Sequence, residues 1–251
     1  VTPETLVLEG IGKSIGGVTI NEDVTLRLHQ GERRALIGAN GAGKTTLINI
    51  AAGLTRPTQG RVLLHGADVT RLPAQGRARR GVARTFQITT LIGSMTVAEN
   101  VALAVQSAFR RRADPLRPWT RWKPVWARVD ALLEAARLGA LRDTRVSQLP
   151  YGEQRRLEIV IAAATEPSVV LLDEPGAGLT TEETEQLLQL VFDVAAELTV
   201  LFIDHDIDLA LRLATSVTVL HLGRVIGEGT PESVRSSGIL DGIYLRGAAR
   251  A

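Results

Sequence analysis

The chain contains no cysteine, which excludes disulfides and thiolate-bound metals; a reducing compartment fits that absence. No apolar run approaches the roughly 18–20 residues needed to cross a bilayer. The opening stretch VTPETLVLEG does not read as a signal peptide. The expectation is a cytoplasmic protein that, if it works at a membrane, needs a partner to hold it there. A large excess of one charge sign is also missing. The formal net charge is +2, so a general nucleic-acid binder is not indicated. Lysine occurs only as Lys13, Lys44 and Lys123, and the other basic groups are arginine. That bias fits a GC-rich genome better than a function.

The remaining composition is that of a soluble α/β protein: 251 residues, 45% hydrophobic, 22% charged, with 24 glycines. Such a chain can bury a sizeable core as one large domain or two small ones. Residues 4–11 and 24–31 alternate apolar and polar, as half-buried strands do. RRALIG (33–38) is a short strand running into a glycine loop, and 44–54 has helical spacing. GRVLLHG (60–66) reads as another strand. The middle, about 88–165, changes to helical patterns at 97–108, 125–138 and 152–165. Buried strands return at 168–173, 198–204 and 216–222, with helices at about 181–196 and 207–214. Alternating strands and helices predict a mostly parallel sheet covered on both faces. The helical middle reads as an insertion between the two halves of that sheet.

GANGAGKT (38–45) fits the phosphate-loop pattern of a strand, a glycine-rich turn and a helix. Gly41 and Gly43 let the backbone curl so that its N–H groups point at phosphate oxygens. Lys44 reaches the β- and γ-phosphates, and Thr45 offers a hydroxyl to Mg²⁺. The candidate nucleotide-binding set is Gly38, Asn40, Gly41, Ala42, Gly43, Lys44, Thr45 and Thr46. In VVLLDEP (169–175), four apolar residues make a buried strand. Asp173 and Glu174 emerge at its C-terminal end, the edge where open α/β sheets bind ligands. Asp173 is the expected Mg²⁺ ligand and Glu174 the group that polarises water. Gln87, in RTFQ, is placed to touch the Mg²⁺ or its water. His205, in FIDHD, follows a buried strand at the same edge, where a γ-phosphate sensor is needed.

A second helix start, QLPYGEQRRLEIV (148–160), presents another N-terminus able to meet an anion. The order P-loop, RTFQ, LPYGEQRR, VVLLDEP, AGL, IDHD resembles the ATPase subunits of ABC transporters over nearly the whole chain. The resemblance implies one α/β P-loop NTPase domain over 1–251. It would have an N-terminal antiparallel β subdomain, an inserted helical subdomain at about 88–165 and a short C-terminal extension at about 231–251. It also implies ATP and Mg²⁺ as cofactors, and a second ATPase subunit, identical or different, paired head to tail. LPYGEQ (149–154) corresponds to the family's signature motif, so that Pro150, Gly152 and Glu153 face the ATP of the second subunit. Ile15 stands where an aromatic residue usually stacks on adenine, Pro150 where serine is usual, and Thr180 where an acidic residue often follows AGL.

YGEQRRLEI, RTFQ followed by MTVAENV, and the long insertion after it resemble the ATPases of branched-chain amino acid importers, of the larger-subunit type. Transmembrane permease subunits, an indirectly engaged solute-binding protein and a peripheral position on the cytoplasmic face of the membrane are then implied. An exporter of lipid or polysaccharide is the nearest rival. A non-transport ABC ATPase acting on nucleic acid or ribosomes, or an ordinary P-loop kinase or GTPase, fits less well. Residues 109–128 hold all three tryptophans, Trp119, Trp122 and Trp126, among seven basic residues. Their spacing is helical, with Pro124 interrupting the pattern. Packing of the tryptophans on the helical subdomain, with the arginines solvated, is preferred to contact with a lipid surface.

Overall fold

The computed structural model describes residues 2–85, 91–109, 123–174, 176, 178–194, 198–204, 206–240 and 242. The chain opens as an antiparallel hairpin of β1 (Glu4–Ile15) and β2 (Val18–His29), turned by Gly16 and Gly17 with positive φ. β3 (Arg33–Ile37) runs into the glycine loop and α1 (Lys44–Ala52). β4 (Gln59–Leu64) and the short β5 (Ala67–Asp68) return to the hairpin, completing a four-stranded sheet in the order β2-β1-β4-β5. α2 (Ala74–Ala78) and β6 (Val82–Thr85) follow. Next comes a helical section of α3 (Val97–Phe109), α4 (Lys123–Ala135) and α5 (Tyr151–Ala164). The last third comprises β7 (Val169–Asp173), α6 (Thr181–Val194), β8 (Thr199–Ile203), α7 (Ile207–Leu213), β9 (Ser216–His221), β10 (Arg224–Gly229) and α8 (Pro231–Ser236).

The second sheet has the order β10-β9-β3-β8-β7-β6, parallel throughout except for β10, which pairs antiparallel with β9. Its central strands are apolar on both faces because both faces are covered. Leu36, Leu171 and Leu201 point into a core shared with α1 and the four-stranded sheet. Ala35, Val170 and Phe202, one residue out of phase, point into a second core with α6 and α7. Val234 of α8 is buried in that second core as well. β8 lies between β3 and β7, so the glycine loop and the Asp173 strand leave the same edge of the sheet one strand apart.

The helical section has a core of its own, with Val101, Val105, Val129, Leu132, Leu157 and Val160 buried together. Pro124 lies in α4, beside residues 110–122, which lie outside the described residues. One expectation is corrected here: the helix stops at Ala135 rather than continuing to 138. Arg137 is left-handed at φ 55°, and the Leu138 N–H donates back to the Leu133 carbonyl at 2.8 Å, a closed helix end. Trp126 packs against this core and lies under the Arg142 guanidinium, 5.4 Å from ring centroid to charge. Trp119 and Trp122 lie outside the described residues. Among the described residues, no helix is long and apolar enough to cross a membrane.

Candidate functional site

The glycine loop is shaped by its neighbours. A Cβ on Gly38 would sit 2.2 Å from the Leu220 carbonyl of β9, so only glycine lets the loop leave β3 at this point. Gly43 is the N-cap of α1 with φ 96°, and a Cβ there would meet the Asn21 amide at 2.4 Å. The Asn21 side chain, fully buried, donates to the Gly43 carbonyl at 3.3 Å. The turn after β9 closes the loop from the other side, with the Gly223 N–H donating to the Ala42 carbonyl at 3.1 Å. Asn40 and Gly41 are exposed on the outside of the loop, and Thr46 is half-buried at the start of α1. The first N–H groups of α1 are left with no side-chain cap, an arrangement suited to an anion.

Lys44 is largely buried, and its ammonium donates to the Gly38 and Ala39 carbonyls at 2.7 and 3.0 Å. Burial lowers its pKa, while the carboxylates of Glu174 and Asp173 act in the opposite direction. These two acids therefore lie within electrostatic reach of the loop lysine, across the intervening strand β8. Asp173 ends β7 with its carboxylate wholly buried. Burial raises its pKa against the opposing charge of Arg84, and Glu174 adds to the rise. The Thr45 hydroxyl stands 3.4 Å from Asp173 Oδ1, and an Arg84 nitrogen donates to Oδ2 at 3.0 Å. Glu174 follows in the left-handed region at φ 51°, its N–H donating to the Ile203 carbonyl of β8 at 3.1 Å.

A hydroxyl and a carboxylate oxygen facing each other beside a phosphate loop make an all-oxygen donor set that suits Mg²⁺. That ion takes few protein ligands and completes its octahedron with water and phosphate. Gln87 and His205 lie outside the described residues. Ile15 ends β1 opposite Val18 and is more than half exposed. Pro150 is the N-cap of α5, so this helix begins one residue before Gly152. A Cβ at Gly152 would meet nothing within 4 Å. Glu153 lies in the first turn, with one carboxylate oxygen buried and without a hydrogen-bond partner.

Three contributors were not apparent from the sequence. Asn21 braces the loop from β2, and Arg84 reaches Asp173 from β6. Arg77, fully buried in α2, donates to the Ile50 and Ala51 carbonyls and so caps the far end of α1. Desolvation lowers its pKa to about 10, so it stays charged near neutral pH, as a cap on a helix C-terminus should. Arg84 alone had a signal, since it opens the RTFQ stretch three residues before Gln87.

The sequence profile of the ABC transporter family matches residues 21–177. The chain is 36% identical over 250 residues to the high-affinity branched-chain amino acid transport ATP-binding protein LivG of Escherichia coli K12, covering 96% of this chain and 97% of LivG. It is 34% identical to the corresponding protein BraF of Pseudomonas aeruginosa, with the same coverage. Identity is also 34% to the lipopolysaccharide export ATP-binding protein LptB of Acidithiobacillus ferridurans, over 96% of this chain and 97% of LptB. Among solved structures, the ADP conformation of an ATP-binding cassette from an ABC transporter superposes with a TM-score of 0.81 at 28% identity, covering 97% of this chain and 99% of that one. A dimeric cassette in a post-hydrolysis state with ADP and phosphate superposes at 0.73 and 26% identity, covering 90% and 98%. With the loop, the buried carboxylate and both sheets in place, the chain belongs to the ABC transporter family as one of its nucleotide-binding, ATP-hydrolysing subunits.

Proposed function

We propose that the chain is a motor subunit of an importer for branched-chain amino acids or related small polar solutes. The observation that carries this reading is its similarity to LivG and BraF over nearly the whole length of each. In this reading Gly38, Asn40, Gly41, Ala42, Gly43, Lys44, Thr45 and Thr46 hold the phosphates of ATP, and Ile15 covers the adenine. Thr45 and Asp173 hold Mg²⁺, with Gln87 beside it; the ion supplies charge neutralisation at the phosphates when bound. Glu174 takes the proton of the attacking water, and His205 senses the γ-phosphate. Pro150, Gly152 and Glu153 face the ATP of a second ATPase subunit arranged head to tail. Transmembrane permease subunits hold the pair at the cytoplasmic face of the membrane, where a solute-binding protein delivers the cargo from the other side.

Export is the second reading, favoured by the similarity to LptB. Reconstitution separates the two. The native complex, purified through this chain and placed in liposomes with its solute-binding protein, should hydrolyse ATP faster when that protein carries leucine or a related solute. Co-purification with a lipid-handling assembly, and no response to any amino acid, would overturn the importer reading.

A further inference from the structure

Arg84 lies on β6, the edge strand beside β7, in register with Leu171. Its guanidinium is nearly buried and divides its two terminal nitrogens. One donates to Asp173 Oδ2 at 3.0 Å, and the other donates to the Asn49 side chain of α1. Its Nε is buried with no hydrogen-bond partner among the described residues, and among them the two terminal contacts set its orientation. A planar fork anchored at both tips fixes the carboxylate it touches, and charge-assisted bonds of this kind are among the stronger ones. The carboxylate of Asp173 therefore has one oxygen committed to Arg84, and the other, Oδ1, turned toward the Thr45 hydroxyl.

We propose that Arg84 sets the metal selectivity of the nucleotide site by occupying Asp173 Oδ2 and leaving a single carboxylate oxygen for the cation. This rests on the reading of Asp173 as a metal ligand. Mg²⁺ requires a near-ideal octahedron at about 2.0–2.1 Å, whereas Ca²⁺ takes roughly 6–8 oxygens at about 2.3–2.6 Å and accepts carboxylates with both oxygens. Holding Oδ2 away removes the two-oxygen mode, which serves only the larger ion. The positive charge of Arg84 repels both divalent ions alike, so it cancels from the ratio of their affinities. The geometry of the fork does not cancel.

The test uses the full chain and a non-hydrolysable ATP analogue, with binding measured by calorimetry in Mg²⁺, in Ca²⁺ and in EDTA. Arg84→Met should lower the ratio of Mg²⁺-supported to Ca²⁺-supported affinity by about tenfold, the lower end of the range for removing an outer partner of a ligand. Affinity in EDTA is the baseline from which the gain given by each ion is taken in each variant, so a change in nucleotide binding that both ions share leaves the ratio untouched. Arg84→Gln is too short to span Asn49 and Asp173 and should move the ratio the same way; it carries the test if the methionine variant does not fold, as judged by thermal melting. Asp173→Asn is the control and should abolish the gain from either ion. If Asp173→Asn leaves the metal gain intact, Asp173 is not a ligand and the underlying reading fails. If the gain depends on Asp173 while the ratio is unchanged in a folded Arg84 variant, the selectivity proposal is overturned.

Discussion

Glu174 is held in a conformation that a non-glycine residue adopts only under constraint, φ 51° directly after a fully buried strand. Such positions cost of order 1–3 kcal/mol and cluster where geometry serves chemistry. Its N–H is tied to β8, so the side chain leaves the sheet edge in a direction the ordinary β conformation would not give. Glu174→Gln carries the same backbone cost and isolates the acid–base role. Steady-state ATP hydrolysis should fall roughly 10²–10⁴-fold, with the melting temperature and ATP binding close to those of the parent. A variant that still turns over at near-normal rate would remove Glu174 from the role of base. Ile15 gives a second residue-level test. It is exposed at the end of β1, beside two left-handed glycines, and an aliphatic side chain there can cover a base but not stack on it. Ile15→Tyr should tighten ATP binding by about 0.5–1.5 kcal/mol. An unchanged dissociation constant would place residue 15 away from the adenine.

The helices show how much of the site is built by their ends. Thr180 and Glu183 form a reciprocal cap on α6. The Thr180 N–H and hydroxyl both donate to the Glu183 carboxylate, at 2.8 and 3.0 Å, and the Glu183 N–H donates back to the Thr180 hydroxyl at 3.2 Å. Threonine at this position thus starts the helix, as an acidic residue could. Thr180→Ala removes two of the three bonds and should destabilise the chain by about 1 kcal/mol at neutral pH. The Glu183 pKa is lowered from 4.5, the Thr180 N–H being the main cause and its hydroxyl the next. The carboxylate's contribution is therefore complete above that value and fades as pH falls below it. Denaturant melts at pH 7 and pH 3 should show the penalty of Thr180→Ala shrinking in acid; a constant difference would mean that the bond from the Thr180 hydroxyl to the carboxylate contributes nothing to the cap. The helices other than the short α2 and α8, and strands β3, β7, β8 and β9 of the six-stranded sheet, could be read from the sequence, because periodicity and buried apolar runs are local signals. The loop and the VVLLDEP strand were readable because their function demands particular residues at short spacing. Arg77 and Asn21 were not readable. Each acts across more than twenty residues on a backbone carbonyl, and one arginine in an arginine-rich chain carries no mark of its partner. β10 was missed because its exposure alternates at a sheet edge, with two glycines in six residues.

At the scale of the whole molecule, the open question is how α5 meets a second subunit. Pro150 is its N-cap and offers no side-chain hydrogen bond. It also has no N–H, and three residues on, Glu153 keeps one buried carboxylate oxygen without a partner. Those facts belong together, because in a capping box the third-position glutamate accepts from the cap residue's own N–H. Pro150→Ser therefore has two separable effects. Within the chain it completes the box and should raise the nucleotide-free stability by about 1 kcal/mol. Between chains, the new hydroxyl would reach the partner's γ-phosphate, where a hydrogen bond to a charged group contributes about 1.5–3 kcal/mol. Pro150→Ala separates them, since alanine supplies the N–H for Glu153 but no hydroxyl. The cap hydroxyl's own share shows in the difference between the serine and alanine variants without ATP. That share is present in the folded monomer and in the dimer alike and cancels from dimerisation, so the serine–alanine difference in ATP-driven dimerisation is the remainder that belongs to the contact across the interface. The remainder should be positive, and in a complex of two different ATPases it should favour the site completed by this signature. Inactivating one catalytic glutamate at a time identifies that site. A gain that appears only when this chain's own Glu174 is the surviving base would contradict the head-to-tail arrangement. A remainder of zero would assign the hydroxyl wholly to starting its own helix.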